Sequence, residues 1–96
     1  MLISFGDKAT EDLYHGRPSA RARRFPTEVG RAAQRKLDMV NSAAELLDLR
    51  SPPGNRLEAL GGDLEGFQSI RVNDQWRIIF RWSSRGAEDV RLLDYH

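Results

Sequence analysis

Three arginines lie in phase on two strand-like runs in the C-terminal half of the chain. Along Gln75 to Trp82, an extended backbone turns Trp76, Ile78, Phe80 and Trp82 to one side and Arg77, Ile79 and Arg81 to the other. On the preceding run, Phe67 to Val72, Ile70 and Val72 likewise leave Arg71 on the opposite side. Three guanidinium groups on one sheet surface suit phosphate, because each offers a fixed fork of donors and none titrates away. Exposed sheets also carry arginine simply to meet water, so the pattern alone leaves both readings open. A second basic concentration lies earlier in the chain. Between Arg17 and Lys36 stand seven basic residues (Arg17, Arg21, Arg23, Arg24, Arg31, Arg35 and Lys36) against the single acid Glu28, a local charge of +6. From Leu37 to Gly66 the balance reverses to −4. The net charge of +1 therefore hides a field with two distinct sides. A solvated surface and RNA binding are both compatible with that segment.

Other chemistries find no support in the residue types. The chain has no cysteine, which excludes a disulfide framework and thiolate catalysis and fits a reducing cytoplasm. No His, Asp and Glu spacing resembles a metal site, no glycine-rich phosphate loop occurs, and no serine has the setting of a hydrolase nucleophile. Neither metal nor cofactor is expected. His15 falls near the end of a short predicted helix, where it caps or packs, and it is assigned no catalysis. Residues 1–8 hold only a short apolar stretch before charges begin, so no secretion signal, membrane span or membrane contact is expected. With 40% hydrophobic and 30% charged residues, the chain reads as one globular domain over residues 1–96.

The elements that must position the arginines follow from periodicity and turn chemistry. Leu2, Ile3 and Phe5 suggest a short edge strand, and Asp7 caps a short helix through Leu13 and Tyr14 that Gly16 and Pro18 end. Residues 17–25 lack periodicity and read as a basic loop or broken helix. A second helix is predicted from Pro26 or Thr27, with Thr27 able to cap it. Val29, Ala33, Leu37, Val40, Ala44 and Leu47 form its buried face. The run Ser51-Pro52-Pro53-Gly54-Asn55 is a loop. After it come Leu57 to Leu60, a break at Gly61-Gly62-Asp63, and a hairpin of the two arginine-bearing runs turning at Asn73-Asp74. A last strand is expected around Asp89 to Leu93. The order gives an α+β fold with two helices on one face of a mostly antiparallel sheet, leaving the other face for function.

Two stretches carry a family resemblance. Ser69-Ile70-Arg71-Val72-Asn73-Asp74-Gln75-Trp76-Arg77-Ile78 and the terminal Asp94-Tyr95-His96 resemble HigB-type toxins of the RelE/ParE superfamily. Ser51-Pro52-Pro53-Gly54-Asn55-Arg56-Leu57-Glu58-Ala59-Leu60 is similar to the GraT branch of that group. The resemblance covers nearly the whole chain. It implies a microbial-ribonuclease-like fold that enters the ribosomal A site and cleaves messenger RNA during translation. The implied partner is a helix-turn-helix antitoxin of the HigA kind, through which alone operator DNA is contacted. Asp94, Tyr95 and His96 match the family's functional tripeptide, and Arg77 matches the arginine after the hairpin tryptophan. Where some HigB-type toxins have histidine followed three residues on by lysine, this chain has Glu58 and Gly61. The family's usual second arginine position is Asn73 here, with Arg71 nearby as a replacement charge.

Metal-free RNA cleavage needs a base for the 2′-OH proton, positive groups for the crowded phosphate and an acid for the leaving 5′-oxygen. In the light of the resemblance, Glu58, Arg71 with Arg77, and His96 fill those roles, with Asp94 supporting His96 and Tyr95 stacking on a base or orienting the phosphate. Glu58 is equally compatible with a solvent-facing strand residue. Arg81 and the basic residues between Arg17 and Lys36 are the expected RNA or ribosome contacts. Two alternatives on the same fold stay open: a gyrase poison of the ParE kind, and a ribosome-binding module that blocks translation without cutting RNA.

Overall fold

The computed structural model of the chain describes residues 1–95 and places two α-helices against a four-stranded antiparallel sheet. Helix α1 spans Lys8–Tyr14 and α2 spans Thr27–Ser42. Strands β1 (Glu58–Ala59), β2 (Gln68–Arg71), β3 (Trp76–Ser83) and β4 (Gly86–Asp94) pair in sequence order. Each connection is local, and the β2–β3 turn shows why. Asn73 Oδ1 accepts hydrogen bonds from the Gln75 and Trp76 amides, both at 2.8 Å, so the predicted Asn73-Asp74 turn closes on its own side chain.

The core lies between α2 and one sheet face. Val29, Ala33, Leu37 and Val40 pack on Ile70, Ile78, Phe80, Val90 and Leu92. Trp76 and Trp82 border this cluster, on the side that strand alternation predicts. Truncating Phe80 or Leu37 to alanine is expected to cost about 2–5 kcal/mol. Asp7 caps α1 through the Thr10 amide at 2.7 Å. Buried Thr10 in turn accepts from the Leu92 amide at 2.9 Å and ties α1 to β4.

Four expectations are corrected by the tertiary packing. The N-terminal segment forms no strand; it makes two isolated parallel bridges to β4, Leu2 with Ala87 and Phe5 with Val90. Between those bridges β4 bulges at Asp89, whose φ is 54° and whose amide donates to Ser4 Oγ at 2.9 Å, so a regular ladder cannot continue. Helix α2 stops at Ser42, before Ala44 and Leu47. Asp48 Oδ2 accepts from the Ala44 and Glu45 amides, each at 3.0 Å, and starts a one-turn helix at Leu46. That change of phase buries Ala43 and Leu49 and leaves Leu47 61% exposed. Thr27 is the first helical residue and makes no cap bond; the Pro26 carbonyl accepts from the Gly30 amide instead. Finally, the second sheet face is not bare, because Ile79, at 1% exposure, and Phe67 are buried outside the helix-facing cluster.

Candidate active site

Strand register builds the site. On the sheet face turned from α2, Glu58 stands across from Ser69, Ser69 across from Ile79, and Ile79 across from Arg91, one row over all four strands. In the adjoining row Arg71 pairs with Arg77 and Arg77 with Leu93. Side chains directly opposite on antiparallel strands share a face, so these two rows form one continuous surface.

Arg77 is its centre. Nη1 lies 2.9 Å from Glu58 Oε1 and donates to Ser69 Oγ at 3.1 Å, while the guanidinium carbon sits 5.3 Å from the Tyr95 ring centroid. The Arg77 side chain is 18% exposed and that of Glu58 52%, so the ion pair is anchored from below and open from above. Ser69 is fully buried, and the Arg77 fork satisfies it. Arg71 is held beside the hairpin turn by an ion pair with Asp74. The chain end is clamped alongside: the Tyr95 amide donates to the Gln75 carbonyl at 2.6 Å, and Gln75 Nε2 donates to Asp94 Oδ2 at 3.1 Å.

The structure therefore brings together Glu58, Arg71, Arg77 and Tyr95 on the face away from the helices, whereas Asp94 stands across from Trp76 at the strand end, on the helix-facing side of the register. His96, the expected acid, lies outside the described residues. Arg81 is on the same face but farther along β3, with Nε 3.7 Å from Asp89 and its guanidinium over Phe67. Ser69 is the contributor that sequence reading missed; its phase with Arg71 along β2 was the available signal. Among the described residues, no group of three His, Cys, Asp or Glu side chains converges as a metal site.

The basic segment is elsewhere. It begins beside α1 and continues along α2, the helix that covers the opposite sheet face. Arg17 Nη1 and Arg21 Nε lie 3.7 and 3.0 Å from the two oxygens of buried Asp12. Hydrogen bonds from Ser19 and Arg21 hold the Asp12 carboxyl below its ordinary value of 3.8. Half-buried Lys36 donates to Asn55 Oδ1; burial, then the charge of Arg35, moves its pKa down. Arg23, Arg24, Arg31 and Arg35 are exposed and make no ion pair among the described residues. The segment also borders a depression of about 410 Å³ between α1 and α2, lined by Leu13, Phe25, Gly30 and Gln34 with Arg23 and Arg31. Nearby, burial and then Asp38 raise the Tyr14 hydroxyl above its ordinary value.

Known proteins bear on this geometry in two ways. The fold is that of small toxins of the YoeB type. The chain superposes on the YoeB–YefM complex structure from Staphylococcus aureus with a TM-score of 0.61 at 14% identity, covering 100% of this chain and 98% of the other. A YoeB/ParE toxin from Agrobacterium tumefaciens matches at a TM-score of 0.54 and 19% identity, covering 99% and 97%. In sequence, the chain is 45% identical over 82 residues to Toxin HigB-1 of Vibrio cholerae serotype O1, covering 85% of this chain and 84% of that one. It is 32% identical over 66 residues to Endoribonuclease HigB of Proteus vulgaris, 62% of this chain and 72% of the relative. The family model for the RelE-like toxin of the type II toxin–antitoxin system HigB matches residues 3–96. The chain belongs to this HigB-like toxin family.

Proposed function

We propose that this toxin acts in the cytoplasm as an endoribonuclease, cutting messenger RNA in the A site of translating ribosomes without a metal cofactor. The observation that carries the reading is the setting of Arg77, fixed by Glu58 and Ser69 beneath the Tyr95 ring on the open sheet face. The endoribonuclease name of the Proteus vulgaris relative supports the reaction class. In this scheme an RNA phosphate takes over the Arg77 fork and frees the half-exposed Glu58 carboxylate to accept the 2′-OH proton. The 2′-oxygen attacks the adjacent phosphorus, and Arg77 with Arg71 stabilises the charge on the non-bridging oxygens. His96 gives its proton to the departing 5′-oxygen, leaving a cyclic phosphate and a 5′-hydroxyl. Tyr95 and Asp94 orient the phosphate and the acid. The ribosome aligns the strand, so a small set of catalytic groups suffices.

Arg23, Arg24, Arg31 and Arg35 serve as phosphate contacts to the ribosome. A helix-turn-helix antitoxin neutralises the chain, and operator DNA is reached only through it. The test is to map RNA 3′ and 5′ ends after mixing purified protein with translating ribosomes and a chelator. Cleavage by the wild type, absent for Arg77→Ala and for the His96 deletion, is the expected result. Cleavage that vanishes with chelator removes metal independence, and growth arrest with intact messenger RNA removes the nuclease in favour of a binding inhibitor. Co-expression of the adjacent helix-turn-helix protein should relieve the arrest; arrest that persists with every neighbouring reading frame removes the partnership.

A further inference from the structure

Four arginines occupy the proposed RNA face, and three of them have carboxylate partners. Arg71 pairs with Asp74, Arg77 with Glu58 and Arg81 with Asp89. Arg91, across from Ile79 on β4, has neither an ion pair nor a side-chain hydrogen bond among the described residues. Its Nε is shut from solvent without a hydrogen-bond partner, while the residue as a whole is only half-buried. Packing fixes this fork in place. A side chain at Gly6 would put a Cβ 2.2 Å from Arg91 Nε, so the stem occupies the space that the glycine leaves. The guanidinium carbon lies 5.7 Å from the Phe67 ring centroid, and that of Arg81 lies 4.3 Å from the same ring. Gly66 is kept bare in the same way, because a Cβ there would meet Arg81 Nη1 at 2.6 Å.

Two cations are thus held over one buried ring, Arg81 paired with Asp89 and Arg91 with no carboxylate among the described residues. Like charges at this spacing repel, and an anion that bridges them relieves the repulsion. A phosphate at Arg91 displaces no existing ion pair, unlike one at Arg71 or Arg77, and the packed stem has little rotamer freedom left to lose. Register also fixes its place relative to the scissile site. Arg77 pairs with Leu93, which makes Arg91 its diagonal neighbour, about 7–8 Å away by strand geometry. Glu58 lies at the other end of the Arg91 row.

We propose that Arg91, with Arg81 and the Phe67 ring beneath them, forms a second phosphodiester subsite that grips the RNA substrate strand beside the bond cut at Arg77. The assignment rests on the endoribonuclease reading for its substrate, and its test separates the two. Binding of an uncuttable 2′-O-methyl oligouridylate is measured over a range of salt for the wild type, Arg91→Met and Arg91→Lys. Messenger RNA cleavage on ribosomes and thermal unfolding are followed on the same preparations.

Arg91→Met should weaken binding about tenfold, as expected for loss of a charge-assisted hydrogen bond. The slope of log affinity against log salt should become shallower by about 0.7, one single-strand phosphate contact. Arg91→Lys should keep the slope and lose affinity severalfold, because the charge remains and the fork does not. Unchanged affinity and slope in a folded Arg91→Met overturn the subsite while wild-type cleavage leaves the nuclease reading standing. Should Arg91→Met not fold, Arg91→Lys decides alone, and wild-type affinity there overturns the proposal. Binding to mRNA-free ribosomes is measured alongside, and a loss there with oligouridylate binding intact overturns the substrate-strand assignment in favour of ribosomal RNA. Weaker oligouridylate binding by Arg91→Met, together with a wild type that cuts nothing, upholds the phosphate site and removes the nuclease reading.

Discussion

The protein concentrates arginine in two places and treats it differently in each. On the open sheet face Arg71, Arg77 and Arg81 are spaced by strand register and each meets a carboxylate; on the helix side Arg23, Arg24, Arg31 and Arg35 project without one. A paired, partly buried guanidinium keeps one orientation, which chemistry at a single phosphorus requires. An exposed, unpaired one adds charge to the surface field and accepts many geometries, which suits association with a large polyanion. Abundance of positive charge and precision of its placement are therefore separate properties, located on opposite sides of the sheet.

The strongest break in this comparison is expected at the paired site. Arg77→Ala should lower cleavage at least 100-fold, in line with removal of a fixed donor to a developing charge. It should also cost about 1–3 kcal/mol, because buried Ser69 loses its partner. Deleting His96 should abolish growth arrest with a stability change within about 1 kcal/mol, whereas His15→Ala should stay toxic. Cleavage by the His96 deletion at the wild-type rate would remove the terminal-acid assignment.

A milder effect is expected one step away from the phosphate. Ser69→Ala frees the Arg77 fork without removing its charge, so cleavage should fall less than for Arg77→Ala, and Ser69→Thr should restore part of it. Equal losses in the serine and arginine variants would mean that the serine fixes the strands rather than the fork, a distinction that parallel melting curves resolve.

Neutralising Arg23, Arg24, Arg31 and Arg35 together should make ribosome affinity lower and less salt-dependent. Each substitution should leave stability within about 0.5 kcal/mol, and cleavage at saturating ribosome should persist. Loss of cleavage under saturation would merge the two regions into one functional surface. The smallest effect belongs to Asp12, which anchors the start of the basic segment. Its carboxyl is held below 3.8 in the folded chain, so its stabilising share is present above the unfolded value and is lost as pH falls through the folded one. Urea unfolding near neutrality and near pH 3 should show Asp12→Asn less stable than wild type at the higher pH, with the gap closing at the lower. An unchanged gap would mean that the acid form holds Arg17 and Arg21 equally well.

Local chemistry in the sequence determined much of this molecule. The Asp7 cap, the α2 face from Val29 to Val40, the Asn73 turn and the alternation of Trp76, Ile78 and Phe80 against Arg77 each depend on neighbours within a few residues, and each is present as expected. Alternation also put Arg71 and Arg77 on one side, although only the register made them partners. Tertiary structure decided the rest, for reasons of phase and distance. The Asp89 bulge resets the faces of β4 and turns Arg91 toward the site, which no fixed period anticipates. Asp48 ends α2 before the apolar repeat runs out, because a side-chain acceptor for the Ala44 and Glu45 amides competes with the next helical turn. The meeting of Glu58, Ser69, Arg77 and Tyr95 joins residues up to 37 positions apart in the chain. Their proximity depends on three strand pairings, and a pairing is a property of two segments at once.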